Sequence, residues 1–427
     1  MKYVCDFVFE QVLGVDYQVF SQHESEDSHR YPVYYGVYPS VLNAVVIPES
    51  GLLSETGIDP KWINAFREGG AAFKTPADKA TVHGMASDLF ALIFFCITRY
   101  EEYLPFEGDD LGRFRAVDSV LFKTGKIRIP LVDDAIENIR GLIEYTFNLR
   151  LPEPLSGYRY IPTIDVDQAF AFYNKGWRNF AGMISDLLNG RYATMRKRWK
   201  STFNKVADPF NRFADLDLWH YDAKVSAIYF FLMAARRSKL DKNHSPNDKD
   251  YQDIMQVARK TCMIGLHPSY RSFKNPELIS AEKQALESII NRQVDYSRQH
   301  YLMMNLPQTY RVLLEYGLQQ DFSMGFFDDI GYRASTGHSF YWYDLPSECV
   351  TDLKVTPFQL MDVTLKKYLN LNAEEAKTTI LESINIAKKF NSPLCSVWHN
   401  SSFSSELGWS DEWCDVYEYL IYTAGGH

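Results

Sequence analysis

The sequence lacks the features that mark several broad protein classes. Its six cysteines show no paired spacing, which argues against both a disulfide framework and a zinc knuckle. Basic residues do not dominate either, since 45 Lys and Arg stand against 54 Asp and Glu and give a net charge of −9. We therefore expect reduced thiols and no nucleic-acid partner.

Long apolar segments are absent as well. The longest apolar run, residues 89–98, is too short to cross a bilayer. The first residues, Met1–Asp6, do not contain the apolar centre of a signal peptide. These absences predict a cytoplasmic protein without a transmembrane segment, and they leave the oligomeric state open.

What the chain does have is length and apolar material. At 427 residues, with 46% hydrophobic and 15% aromatic residues, it predicts two domains with packed cores. Residues 151–157 contain two prolines and a glycine, which is typical of a linker. We expect a smaller α/β domain of unknown function at residues 1–150 and a second domain at residues 156–427.

One basic run departs from the acidic average of the chain. It contains five cations within ten residues, Arg191, Arg196, Lys197, Arg198 and Lys200. A solvated helix face is the ordinary explanation for such a run. Contact with an anionic glycan or with a membrane surface is the alternative.

Repeated strand and helix patterns after residue 156 predict a parallel sheet. Apolar strands are expected at residues 160–164, 226–232, 263–267 and 393–399. Helices are expected to begin at Gln168, at Pro276 behind an Asn275 cap, and after Asn372. The number of units favours an α/β barrel over an open sheet.

Three of these strand ends carry groups that suit catalysis or metal binding. Asp165 and Asp167 follow the first strand, His267 ends the third, and His399 ends the last. Each has an ordinary explanation alone, as a helix-capping aspartate or as a core histidine. The ends of parallel strands converge on one face of a barrel, so together the four residues predict one site.

At these residues the chain resembles the polysaccharide deacetylase superfamily, the NodB-like group of carbohydrate esterase family 4. Asp165 and Asp167 are similar to its first motif, His267 to its second, residues 298–301 (Arg-Gln-His-Tyr) to its Arg-x-Pro-Tyr motif, and residues 397–399 to its Leu-x-His strand end. The similarity covers roughly residues 156–420 and implies a distorted (β/α) barrel of the glycoside hydrolase and deacetylase type.

The N-terminal part carries a resemblance of its own. Residues 99–106 and 112–114 are similar to an uncharacterised domain that often precedes such deacetylases in bacteria. That similarity implies no known activity.

The family resemblance implies a metal-dependent hydrolase that removes acetyl groups from an amino sugar or polysaccharide. Asp165 would be the general base, Arg298 would orient its carboxylate, and His399 would be the acid that protonates the leaving amine. The implied partner is a carbohydrate, and its identity and the choice between N- and O-acetyl groups are left open.

A divalent metal ion is the implied cofactor, with Asp167 and His267 as ligands. The family's second motif has a further histidine where this chain has Arg271, whose guanidinium cannot ligate a cation. His300 is the nearest replacement for that third ligand. Zinc is expected, and cobalt, nickel or manganese also suit mixed Asp and His ligands.

Four residues are candidates for binding the substrate. The backbone N–H of Tyr301 would stabilise the oxyanion, as the matching family residue does. Trp342 and Trp398 would stack on sugar rings, although core packing is the ordinary role of such side chains. Arg333 would bind substrate or pair with a carboxylate.

Two other functions fit parts of the pattern. The barrel could be a catalytically silent carbohydrate-binding module that lost the second-motif histidine, as Arg271 suggests. It could also be a glycosidase with paired carboxylates, although no strand end offers an obvious second acid facing Asp165.

Overall fold

The computed structural model describes residues 1–20, 30–36, 44–74, 87–406 and 408–425. The strands are β1 (Val33–Tyr35), β2 (Val45–Ile47), β3 (Tyr160–Val166), β4 (Ile228–Leu232), β5 (Met263–His267), β6 (Tyr296–Ser297), β7 (Gln320–Asp321), β8 (Phe340–Asp344), β9 (Cys349–Val355), β10 (Leu360–Met361) and β11 (Leu394–His399). The helices are α1 (Lys2–Cys5), α2 (Lys61–Glu68), α3 (Leu89–Ile97), α4 (Val120–Lys123), α5 (Leu131–Phe147), α6 (Trp177–Leu188), α7 (Tyr192–Phe203), α8 (Phe213–Asp222), α9 (Lys249–Ala258), α10 (Tyr270–Lys274), α11 (Leu278–Ile290), α12 (Gln308–Glu315), α13 (Ala373–Lys389) and α14 (Glu412–Gly425).

The larger sheet has nine strands in the order β10-β11-β3-β4-β5-β6-β7-β9-β8. Every neighbouring pair is parallel except β8 and β9, which are antiparallel. Helices alternate with the parallel strands along the chain, which is the arrangement that covers a buried parallel sheet. The prediction of an α/β fold is confirmed.

The sheet is a half-barrel whose two sides are connected by one run of chain. Residues 349–361 contain both β9, which pairs with β7, and β10, which pairs with β11. Between them, the Phe358 N–H donates to the carbonyl of Met324, just beyond β7, and the Gln359 N–H donates to that of Cys395 in β11. Strands β9 and β10, which follow each other in the chain, therefore join the two sides of the sheet.

One predicted helix is wrong. The residues after Asp167 do not enter a helix at Gln168, and α6 begins at Trp177. The buried carboxylate of Asp208 accepts hydrogen bonds from the N–H groups of residues 171, 172 and 173 at 2.7–2.8 Å. These amides bind a side chain from a later loop, so the local apolar pattern does not form a helix there.

Two other helix starts test the capping signals. The helix expected at Pro276 begins at Leu278, after a turn through Asn275 and Glu277. The helix expected after Asn372 is confirmed. Asn372 accepts from the second and third amides of α13, and Glu375 accepts from the Asn372 N–H, which completes a capping box.

The N-terminal part contains the two-stranded parallel sheet β1-β2 and packs directly on the larger sheet. The rings of Phe7 and Phe340 meet edge to face at 6.4 Å, and one hydrophobic core includes both. Glu102 pairs with Arg333 across the same boundary. The division into domains at residues 150 and 156 stays a prediction. Within the described residues, no helix has the length and apolar character needed to cross a membrane.

Candidate metal and catalytic site

Strand register brings the polar strand ends to one edge of the sheet. His399 stands opposite Asp165 in the β11–β3 pair, and His267 closes the β4–β5 pair opposite Leu232. Next to β5, strand β6 ends at Ser297, so Arg298 and the residues after it emerge at the same edge. Parallel strands thus place residues more than 200 positions apart in one small region.

Three side chains from this edge form a cluster that could hold a metal ion. The ligand atoms of Asp167, His267 and His300 all lie within 4.8 Å of one another. Asp167 Oδ1 is 3.2 Å from His267 Nε2 and 3.6 Å from His300 Nε2. That carboxylate oxygen is buried and has no hydrogen-bond partner. An orphaned anionic oxygen between two imidazole nitrogens is a donor set that fits a divalent cation.

The Nδ1 atom of each imidazole ring has its own hydrogen-bond partner. His267 Nδ1 donates to the carbonyl of Arg298, and His300 Nδ1 donates to Asp241 Oδ1 at 3.1 Å. The partners are a carbonyl and a carboxylate, so the Nδ1 atoms carry the protons and the Nε2 atoms turn toward Asp167. Histidine ligands in metal sites usually donate their other ring N–H to such a carbonyl or carboxylate.

The charged groups of the cluster shift one another's pKa values. Burial lowers the pKa of His300, but the charges of Asp167 and Asp241 outweigh it and raise that pKa to about 9. Burial alone would raise the pKa of Asp167, yet His300 and His267 hold it well below its usual range. Asp167 and His300 therefore each favour the charged form of the other.

Arg271 is not among the residues of this cluster. It lies in the short helix α10, which begins behind β5 with Ser269 as its cap. The third side chain of the cluster is instead His300, in the turn after β6. It reaches the cluster from the end of the strand next to β5.

Asp165 is buried and held by Arg298. Arg298 Nη1 donates to Asp165 Oδ1 at 3.0 Å and to Thr163 Oγ1 at 2.5 Å, and its Nε donates to the carbonyl of Phe322 at 3.0 Å. Only one nitrogen reaches the carboxylate, so the contact orients Asp165 without being bidentate. The other oxygen, Asp165 Oδ2, lies 3.9 Å from His267 Nε2, beside the candidate metal-binding cluster.

His399 is held by a carboxylate that the sequence argument missed. Its Nδ1 lies 2.9 Å from Asp362 Oδ1, and its backbone N–H donates to Asp362 Oδ2 at 2.8 Å. Burial lowers the pKa of His399. The negative charge of Asp362 and, to a smaller extent, those of Asp167 and Asp165 outweigh that effect and raise the pKa to about 10. Asp362 follows the apolar residues of β10, so the strand-end pattern used for the other residues would have found it. Asp241 lies in a loop and gives no comparable local signal.

Tyr301 has a backbone conformation that most side chains avoid. Its φ of 59° and ψ of 13° are left-handed, and the next residue, Leu302, has a φ of 54°. Arg113, from the N-terminal part, donates to the Tyr301 carbonyl at 3.0 Å. Strained backbone of this kind persists where surrounding contacts fix it, and it clusters at functional sites.

Three predicted substrate-binding residues do not face a substrate. Trp342 and Trp398 are 1% and 0% exposed, and they pack against Tyr310 and Tyr417 in the core. Arg333 is 3% exposed, and both ends of its guanidinium bind Glu102 at 2.7–2.8 Å. Since none offers surface to a sugar ring, substrate binding is wrong for all three; the tryptophans have the ordinary role of core packing, and Arg333 follows its alternative of pairing with a carboxylate.

Comparisons with known proteins add the following. A model described as "Family of unknown function (DUF7033)" matches residues 1–148, and no curated protein matches the chain. A structure assigned as a polysaccharide deacetylase from Mycobacterium smegmatis is 13% identical, with a TM-score of 0.39, over 62% of this chain and 85% of that one. A polysaccharide deacetylase from Bacillus cereus is 11% identical, with a TM-score of 0.32, over the same shares.

A 4-alpha-glucanotransferase from Thermococcus litoralis is 12% identical, with a TM-score of 0.37, over 62% of this chain and 37% of that one. The solved structures that this chain resembles thus include both deacetylases and a transferase. At these identities and TM-scores, the likeness does not decide the activity, which depends on the residues of the site.

Proposed function

We propose that this protein is a metal-dependent hydrolase that removes acetyl groups from an amino sugar or polysaccharide. One observation carries the proposal. A carboxylate held by a buried arginine and a histidine held by a carboxylate lie at the same sheet edge as three convergent ligand atoms. The carbohydrate class of the substrate is supported by the resemblance of these residues to the deacetylase motifs.

The metal would be held by Asp167, His267 and His300. Three protein ligands leave a coordination position open, as catalytic zinc sites require. A bound divalent ion polarises a carbonyl oxygen and lowers the pKa of a coordinated water. Zinc is the expected ion, and cobalt, nickel and manganese suit the same ligands.

Asp165 is the proposed general base. Its Oδ1 is fixed by Arg298, which leaves Oδ2 on the side of the metal cluster to accept a proton from the attacking water. Arg298 is a positioning residue, because it contacts Asp165 and lies fully buried below the site.

His399 is the proposed general acid. Its raised pKa keeps the imidazole protonated at neutral pH, and Asp362 accepts the Nδ1 proton. The Nε2 proton is then the one available to the departing amine nitrogen. Base and acid therefore come from adjacent strands, β3 and β11, whose register places His399 opposite Asp165.

Tyr301 would stabilise the oxyanion through its backbone N–H. In the left-handed conformation at this residue, the direction of the N–H is fixed by local backbone and not by a regular strand or helix. Arg113 anchors the carbonyl of the same residue. The N-terminal part thus supports this element of the proposed site.

The test measures acetate release from an acetylated amino-sugar oligomer after loading with zinc, cobalt, nickel or manganese. Asp165→Asn and His399→Gln should each lower kcat by about 10²–10⁴-fold, since each removes a proton-transfer group. Both should leave metal content unchanged. Asp344→Asn is the matched control, because Asp344 pairs with Arg311 outside the cluster and should retain activity.

Acetate release, oligomer binding and cleavage of the glycosidic bond, measured on the same protein, together separate the proposal from its alternatives. A wild-type protein that binds the oligomer and releases no acetate with any of the four metals would be a carbohydrate-binding module. Cleavage of the glycosidic bond without acetate release would indicate a glycosidase.

A further inference from the structure

The two helices that follow the Asp167 loop form a hairpin whose internal contacts are polar. Asn179 and Asp186 on α6 face Arg198 and Thr202 on α7. Arg198 donates to Asp186 Oδ2 at 2.9 Å and to Asn179 Oδ1 at 3.0 Å, and Asn179 donates to Thr202 at 2.5 Å. Arg191, in the turn between the helices, completes the network by binding Asp186.

The apolar side chains of this hairpin face outward. Those that are about half exposed or more are Trp177, Phe180, Ile184, Leu187 and Leu188 on α6, and Tyr192, Trp199 and Phe203 on α7. Their fractional exposure runs from 48% at Ile184 to 80% at Leu188. On α6 they recur at the three- and four-residue spacing that places them on one face. The usual amphipathic arrangement is therefore inverted, with the polar face inside and the apolar face in solvent.

The hairpin is also strongly basic in an acidic protein. Residues 177–203 contain six Lys and Arg and a single acidic residue, Asp186, while the whole chain has a net charge of −9. Asp186 is already bound by two arginines inside the hairpin. Arg196 and Lys200 are exposed on α7, the helix that presents Trp199 and Phe203. An exposed apolar face with cations beside it is the pattern of a helix that lies on a membrane surface.

We propose that this hairpin docks on the surface of a membrane that contains anionic lipid. Its apolar residues enter the boundary between headgroups and acyl chains, with Trp177, Tyr192 and Trp199 suited to that boundary by their amphipathic rings. Arg196 and Lys200 contact the anionic headgroups. Neither helix is long enough to span a bilayer, so the hairpin lies on the membrane.

Charge also argues against the simplest other occupant, a second copy of the chain. A symmetric dimer through the hairpin would bring two basic surfaces together, and the one acidic residue of each hairpin, Asp186, is buried and already bound by two arginines. An anionic lipid surface meets the same cations with complementary charge and accommodates the apolar residues at once.

The test is co-sedimentation of the full chain with vesicles of phosphatidylcholine alone or of phosphatidylcholine and phosphatidylglycerol in equal parts. The wild type should sediment with the mixed vesicles. The double variant Leu188→Gln with Phe203→Gln should lose this binding. Tyr145→Gln is the matched control, because Tyr145 is 87% exposed on another helix, α5, and should bind as the wild type does.

A charge variant tests the headgroup contact separately. Arg196→Gln with Lys200→Gln should weaken binding to the mixed vesicles by roughly 25-fold, given about fivefold for each charge near an anionic surface. Failure of the wild type to bind either vesicle overturns the proposal. So does concentration-dependent dimerisation without vesicles that Leu188→Gln with Phe203→Gln abolishes, since it assigns the face to a second copy. Acetate release plays no part in either readout, so this result is independent of the proposed activity.

Discussion

Asp241→Asn tests the proposed metal centre without touching a ligand. Asp241 Oδ1 accepts from His300 Nδ1 at 3.1 Å and from the Tyr270 N–H at 2.8 Å. Asparagine keeps the size of the side chain and an acceptor oxygen for Tyr270. What it removes is the negative charge that fixes and polarises the His300 ring.

The size of the effect follows from the position of Asp241 behind a ligand. Loss of such a partner typically weakens metal binding by about 10–100-fold, which is roughly 1.4–2.7 kcal/mol at 25 °C. His300→Ala removes the ligand atom itself and should weaken binding further. Arg271→His should leave the affinity unchanged, because His300 already supplies the third ligand atom.

The assay is a competition titration of zinc against a chelating dye, with zinc content measured after dialysis. Asp248→Asn is the charge-matched control, since Asp248 caps α9 in the same stretch of chain and touches no ligand. Equal zinc affinity in wild type and His300→Ala would refute the assignment of His300. Tighter binding in Arg271→His would show that the second-motif position faces the ion after all.

Three further outcomes follow from the buried charges. Asp362→Asn should lower the pKa of His399 and so shift the alkaline limb of the kcat/KM–pH profile to lower pH, and it should reduce kcat by about 10²-fold. An alkaline limb that does not shift would show that His399 is not the general acid. Glu102→Gln leaves the buried Arg333 without its carboxylate, while Arg99 keeps Glu101, and it should lower the free energy of unfolding by about 3–5 kcal/mol in urea titrations; an effect below about 1 kcal/mol would show that water replaces the pair. Burial lowers the pKa of His220 to about 4, so His220 binds a proton less readily in the folded protein than in the unfolded chain. The free energy of unfolding should therefore fall as the pH drops from about 6.5 toward 4, and it should fall less in His220→Gln.

The strand ends were predictable because their signal is local. An apolar run that stops at Asp165, at His267 or at His399 can be read without knowing the fold, and parallel strands then bring such ends together. The same rule applied to Leu360–Met361 would have added Asp362. Asp344 also ends a strand, but it belongs to β8 at the antiparallel edge and pairs with Arg311. Choosing between the two aspartates requires the strand order, which no local pattern provides.

The errors arose where distant residues decide local structure. The apolar pattern after Gln168 suggests a helix, but Asp208, some 35 residues later, binds the amides that the helix would have used.

Trp398 could have been excluded from the sequence alone. Adjacent residues of a strand face opposite sides of a sheet, so Trp398 cannot share the face of His399.

The N-terminal part takes part in the proposed site through Arg113. Asp109 holds the guanidinium of Arg113 at 2.6–2.9 Å, and the guanidinium lies 3.5 Å from the ring centre of Phe327 while it donates to the Tyr301 carbonyl. Stacking on one side and an ion pair on the other leave it little freedom, so it can hold the left-handed backbone at Tyr301 in place. A barrel without this segment would keep every proposed ligand and proton-transfer residue but lose that anchor. The N-terminal residues are therefore part of the scaffold that positions the proposed oxyanion donor.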